Sequence, residues 1–183
     1  MTPYFEKIRG HLRVISLAVF TSVISATSYA QSPLFAPLFE VLSHPRCMNC
    51  HTKTDFPRQG DERRRHDQLV VRGEDNHGAP TLQCSACHQD ENVADGEVPG
   101  APHWGLAPLS MAWEDLSAGQ LCTVLKDTTK NGNRSLEDLF HHMTEDALVL
   151  WAWMPGAARS TPPLSQSEFA EALRAWVNAG GPC

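Results

Sequence analysis

The sequence has 183 residues, 42% of them hydrophobic and 20% charged, with a formal net charge of -6 at neutral pH. A chain of this size suits one domain, and the acidic balance argues against nucleic acid or an anionic membrane surface as partner. It favours solubility and a basic docking patch on a protein partner.

Lys7, Arg9 and Arg13 form a basic start, followed by an apolar run from Val14 to Ile24. Ala26-Thr27-Ser28-Tyr29-Ala30 then places small residues where a signal peptidase requires them. This order predicts a secretory signal peptide over residues 1–30, cleaved after Ala30. The apolar run is shorter than the roughly 20 residues that span a bilayer, and no later segment reads as a membrane helix. Removing that segment takes away three basic residues and Glu6, leaving 12 Lys+Arg against 20 Asp+Glu, a charge of -8. The expected location is periplasmic or otherwise exported.

Residues 31 to about 105 are rich in Pro, Gly and charge. Their apolar pieces are short: Leu34-Phe35, Leu38-Phe39, Val41-Leu42 and Leu69-Val70-Val71. So thin a supply of core residues calls for another source of buried surface. Residues 106–183 read as short helices. Ser117 caps one carrying Leu121, Val124 and Leu125. Ser135 with Asp138 opens a second, with Leu136, Leu139, Phe140 and Met143 at helical spacing. Asn131-Gly132-Asn133 is a turn between them. Ser165 with Glu168 opens a third, carrying Phe169, Ala172, Leu173, Trp176 and Val177 and stopped by Gly180-Gly181-Pro182. The expected fold class is mainly α and loop-rich, one domain over residues 31–183 with a C-terminal set of short helices.

All six cysteines follow Ala30. Cys47-Met48-Asn49-Cys50-His51 and Cys84-Ser85-Ala86-Cys87-His88 both match CxxCH, the attachment signature of c-type haem. Two thiols spaced on one helical turn reach the two vinyl groups of one porphyrin, and the following histidine projects onto the iron as proximal ligand. The pattern therefore predicts two covalent haems held by Cys47, Cys50 and His51 and by Cys84, Cys87 and His88. A Cys₄ zinc site is the first alternative, although zinc does not require a histidine after both second cysteines. A pair of redox-active CxxC disulfides is the second. Cys122 and Cys183 lack local partners, and an oxidising compartment would bridge them, closing a loop of about 60 residues. The alternative is two buried thiols.

The ligand opposite each proximal histidine is less constrained. His66 and His77 lie between the motifs and are the first candidates for distal ligands, against a reading as exposed loop histidines. His103 and Met111 sit in the proline-containing segment 100–113, and packing of Trp104 and Trp113 on a porphyrin edge is their alternative. His44 is too close to Cys47 to cross its own haem, but is a candidate for the second. Adjacent His141 and His142 point in different directions on a helix and do not suit a shared metal. Met143 reads as core. Arg58, Arg63, Arg64, Arg65 and Arg72 are candidate partners of haem propionates, with solvated surface arginines as the default.

From His44 to Cys183 the sequence resembles a family of small exported diheme cytochromes. Its members are often labelled cytochrome-type subunits of isoquinoline 1-oxidoreductase or related molybdenum hydroxylases. The likeness rests on HPRCMNCHTKTDFPRQGD, RGEDNHG, CSACHQ, PGAPHWGLAPLSMAW, LCTVLKD and AGGPC. It implies an electron-transfer protein taking electrons from a molybdenum–iron-sulfur enzyme toward a respiratory chain, not an enzyme itself. The family's substrate does not carry over, because this chain has no molybdopterin or iron–sulfur motif. A looser likeness, limited to two CxxCH motifs with histidines between them, is to the diheme subunit of periplasmic nitrate reductase. The alternative functions are a diheme peroxidase, with Glu74 or Asp75 as an acid–base group, and a haem-based sensor with one open iron.

Overall fold

The computed structural model describes residues 32–95, 97–156 and 159–183, so the expected signal peptide and its cleavage point at Ala30 lie outside the described residues. The described residues form a mainly α fold: α1 (Ala36–Leu42), α2 (Pro45–Met48), α3 (Ala118–Lys126), α4 (Leu136–Glu145), α5 (Ala147–Leu150) and α6 (Gln166–Asn178). Two small antiparallel hairpins interrupt the loop region. They are β1 (Arg58–Gln59) with β2 (Arg64–Arg65), and β3 (Gly78–Ala79) with β4 (Leu82–Gln83). Among the described residues, no helix is long and apolar enough to cross a membrane.

The helix starts follow the sequence. Ser117, Ser135 and Ser165 each accept a hydrogen bond from the backbone N–H three residues on, and the side chains of Gln120, Asp138 and Glu168 return the bond. Such reciprocal caps satisfy N–H groups that a helix cannot satisfy itself. Leu139 and Met143 of α4, Leu121 and Leu125 of α3, and Phe169, Leu173 and Trp176 of α6 turn inward to one core.

One element departs from the expected division. Leu38, Val41 and Leu42 of α1, with Phe35 at its N-cap, all face inward, and α1 packs against α3 and α6. The Phe35 ring lies 5.6 Å from that of Trp176. The start of the loop-rich half therefore belongs to the helical core. At seven residues, α1 is too short to announce itself by periodicity, and its formation follows from packing.

The two ends of the described chain meet. Cys122 and Cys183 form a disulfide with Cα atoms 5.6 Å apart, and Ser32 N–H donates to the Cys183 carbonyl at 3.0 Å. Trp176 Nε1 and Lys126 Nζ donate to the carbonyls of Pro182 and Gly181.

Residues 49–100 contrast with this core. Among the described ones, none is a buried apolar side chain; the buried side chains there are Asn49, Thr52 and Arg72. Polar bonds shape the segment. The Arg72 guanidinium donates to the carbonyls of Thr52, Thr54 and Ala107 and to Asn76 Oδ1, at 2.5–3.1 Å. Glu114, its side chain 7% exposed, receives Thr52 Oγ1, Lys53 N–H and the Arg63 guanidinium, with Arg58 at 3.3 Å.

Candidate haem-binding site

Each CxxCH motif occupies one short turn. His44 caps α2 by accepting the Arg46 N–H at its Nδ1, and the chain turns through Cys47 to Cys50 with His51 N–H bonded to the Cys47 carbonyl. Cys84 begins a 3₁₀ turn in which His88 N–H bonds to the Cys84 carbonyl at 2.9 Å. The same i to i+4 bond thus sets both histidines relative to their cysteines. Neither cysteine pair is bridged.

The histidines share a second feature. His51 Nδ1 donates to the Met111 carbonyl at 2.7 Å, and His88 Nδ1 donates to the Pro99 carbonyl at 2.6 Å. A carbonyl can only accept, so both rings carry their proton on Nδ1 and leave Nε2 as the lone-pair nitrogen. Ligating histidines are oriented in this way, by a hydrogen bond from the nitrogen that faces away from the metal. Each ring also lies flat on an indole: His51 on Trp113 at 3.3 Å and 11°, His88 on Trp104 at 4.6 Å and 10°. Trp104 in turn meets Trp151 edge-on at 4.7 Å.

Burial favours the neutral imidazole at both positions. It pushes His51 down to about 3, against the pull of its bond to Met111, and it lowers His88 as well. Burial pushes the Cys47 and Cys50 thiols up to about 12 and about 11. Thiols held protonated at neutral pH do not suit a thiolate redox pair. Among the described residues, no three His, Cys, Asp or Glu side chains converge as a metal site.

A cavity of about 730 Å³ opens beside the second motif, lined by Cys84, Cys87, His88, Trp104 and His66, together with Cys50 of the first motif. That volume falls within the roughly 300–1,000 Å³ of cofactor sites. The loop region, without buried apolar residues of its own, wraps this space. Arg46, Arg58, Arg64 and Arg159 also line it. These observations fit a covalently attached porphyrin: unbridged thiol pairs, oriented imidazoles, and an open cavity where buried apolar side chains are lacking.

The remaining candidates separate. His66 is half-buried, with its ring centroid 6.0 Å from that of His88. Its Nδ1 is buried without a hydrogen-bond partner, and so is that of His77. His77 packs against Gly105, where a Cβ would stand 2.7 Å from Nδ1, so only glycine admits the ring. His103 is exposed. The Met111 side chain joins the hydrophobic core while its carbonyl holds His51. His44 bonds to Ser160 Oγ at 3.2 Å through Nε2. Exposed His141 lies between Glu137 and Glu145, and His142 sits 3.5 Å from Asp146 and within electrostatic reach of His51.

The arginines expected near propionates have protein partners, and of them Arg58 and Arg64 also line the cavity. Arg72 is buried among carbonyls, Arg58 and Arg63 pair with Glu114, and Arg64 pairs with Asp67. Arg65 lies 4.4 Å over the Phe56 ring. Buried Arg46, which pairs with Asp61 on the cavity wall, was not singled out in the sequence. Nor were the Pro99 and Met111 carbonyls, since a backbone acceptor has no residue type to betray it. Comparison of the chain with protein-family models, curated proteins and solved structures finds no match.

Proposed function

We propose that this chain is an exported diheme c-type cytochrome that transfers electrons between redox partners. The observation that carries the reading is the doubled arrangement at His51 and His88. In each, Nδ1 is tied to a backbone carbonyl, the ring lies flat on an indole, and two unbridged cysteines stand on the preceding turn. Once attached, haem supplies one-electron ferric–ferrous chemistry. Cys47, Cys50, Cys84 and Cys87 would hold the two porphyrins, with His51 and His88 as the iron-binding histidines.

Residues away from the metal keep the geometry stiff. Arg72 fixes the loops after His51 and before His77, and Glu114 clamps Thr52 and Lys53 beside His51. A rigid shell suits electron transfer, which asks for little rearrangement between oxidation states. The acidic surface suits a partner with a basic docking face. An oxidoreductase such as a molybdenum hydroxylase is the donor that the family resemblance suggests, with the respiratory chain as acceptor.

The test is production of the full chain in a host that exports and matures c-type cytochromes, followed by a pyridine haemochrome assay and redox titration. The reading expects two haems per chain, both reversibly reduced. A haem-free protein binding zinc through its cysteines would overturn it.

A further inference from the structure

We propose that His66 is the sixth ligand of the second haem, opposite His88. The inference rests on the diheme reading above and names which side chain closes that centre.

The spacing of the two rings is the first support. Their centroids are 6.0 Å apart, with planes at 73°. Two imidazoles bound to one metal at about 2.0 Å each, with roughly 1.1 Å from each ligating nitrogen to its ring centre, have centroids about 6.2 Å apart. Packed rings nearby are closer: His88 meets Trp104 at 4.6 Å, and Trp104 meets Trp151 at 4.7 Å. The His66–His88 spacing is the one that a shared metal would require.

The second support is placement. His66 lines the same cavity as Cys84, Cys87 and His88, whereas His77, His103 and Met111 are not among its lining residues. Its backbone is pinned on both sides. His66 N–H donates to the Pro57 carbonyl at 3.2 Å, and its own carbonyl receives the Leu69 N–H at 3.1 Å. The pairing of Arg58 with Arg65 and Gln59 with Arg64 fixes the residues just before it. The hairpin thus delivers His66 to one place on the cavity wall.

The third support is an unmet polar need. His66 Nδ1 is buried and has no hydrogen-bond partner among the described residues. A buried ring nitrogen without a partner is costly, and groups left in that state call for an explanation. Ligation of a metal through that nitrogen would remove the cost.

Two properties follow. A haem ligated by two histidines is closed to small ligands and lower in potential than one ligated by histidine and methionine. Near-perpendicular imidazole planes give the ferric centre a strongly anisotropic low-spin paramagnetic resonance signal, unlike the rhombic signal of parallel planes.

The experiment compares His66→Ala and His103→Ala with the wild-type holoprotein. Haem content is measured first; absence of covalent haem from the wild type overturns the diheme reading and this inference with it. With two haems present, His66→Ala is expected to turn one of them high-spin and to bind one more carbon monoxide per reduced chain than the wild type. Added imidazole is expected to restore the low-spin spectrum, and His103→Ala to match the wild type. Should His66→Ala fail to mature, His66→Met keeps a ligand in place, and one of the two midpoint potentials is expected to rise. A mature His66→Ala protein with both haems low-spin overturns the ligand assignment alone. So does a His66→Met protein with both potentials unchanged.

Discussion

The His51 imidazole lies flat on the Trp113 indole, with ring centroids 3.3 Å apart and planes 11° apart, while its Nδ1 donates to the carbonyl of Met111 two residues earlier. One short stretch of chain therefore supplies both the face and the acceptor that orient the ring. Trp113 N–H returns a bond to the His51 carbonyl at 2.8 Å, closing the pair from the backbone side.

Trp113 is 3% exposed and belongs to the core cluster. Trp113→Ala leaves a cavity on the proximal side of His51 and is expected to cost about 3–5 kcal/mol. Urea unfolding of the mature protein measures it. A loss under 1 kcal/mol would mean that the indole contributes little to this wall.

Arg72 joins three separate parts of the chain, bonding to Thr52, Thr54, Asn76 and Ala107 through one planar fork. Lysine keeps the charge but cannot reach four acceptors from one rigid group. Arg72→Lys is expected to lose about 3 kcal/mol in the same measurement, since each bond from a charged donor contributes roughly 1.5–3 kcal/mol and part is recovered by lysine and water. Unchanged stability would show that water replaces the guanidinium without penalty.

Glu114 links Thr52 and Lys53 to two arginines. Burial works to raise its pKa, but the bonds from Lys53 N–H and Thr52 Oγ1 and the charges of Arg58 and Arg63 prevail and hold it below 4.5. Its folded-state value lies below its unfolded one, so the unfolded chain binds the proton more readily. The stabilisation is complete above pH 4.5 and is lost as pH falls through the folded value. Glu114→Gln is expected to flatten that part of the acid limb in thermal unfolding between pH 6 and pH 3. Parallel acid limbs for wild type and variant would remove Glu114 from the cause.

The Cys122–Cys183 disulfide closes a sequence separation of 61 residues and ties the C-terminus to α3. Chain-entropy arguments give it about 4 kcal/mol. Replacing both cysteines by alanine is expected to lower the unfolding free energy by about that amount while leaving haem content unchanged. Loss of haem in that variant would show that the bridge supports the loop region as well as the helices.

The sequence discloses the parts of this architecture that depend on local chemistry. Ser135 with Asp138 and Ser165 with Glu168 announce helix starts because a cap needs particular atoms at fixed spacing. The CxxCH pattern is legible for the same reason. Cys122 and Cys183 were readable as a pair because no other partner remained. Tertiary roles were not readable. Arg72 and Glu114 look like ordinary surface charges until the loops close over them, and α1 is too short for its pattern to stand out. The Pro99 and Met111 carbonyls orient two histidines without any residue preference to reveal them. His66 shared first place with His77 among the histidines in sequence, and the β1–β2 hairpin precedes the position where its ring comes to 6.0 Å from that of His88.

The most direct test of the diheme reading is the intact mass of the denatured protein after export and maturation. Wild type is expected to be heavier than the polypeptide by two haems. Cys47→Ala/Cys50→Ala and Cys84→Ala/Cys87→Ala are each expected to be heavier by one. A wild-type mass equal to that of the bare polypeptide, under conditions where a known c-type cytochrome matures in the same cells, would contradict the account.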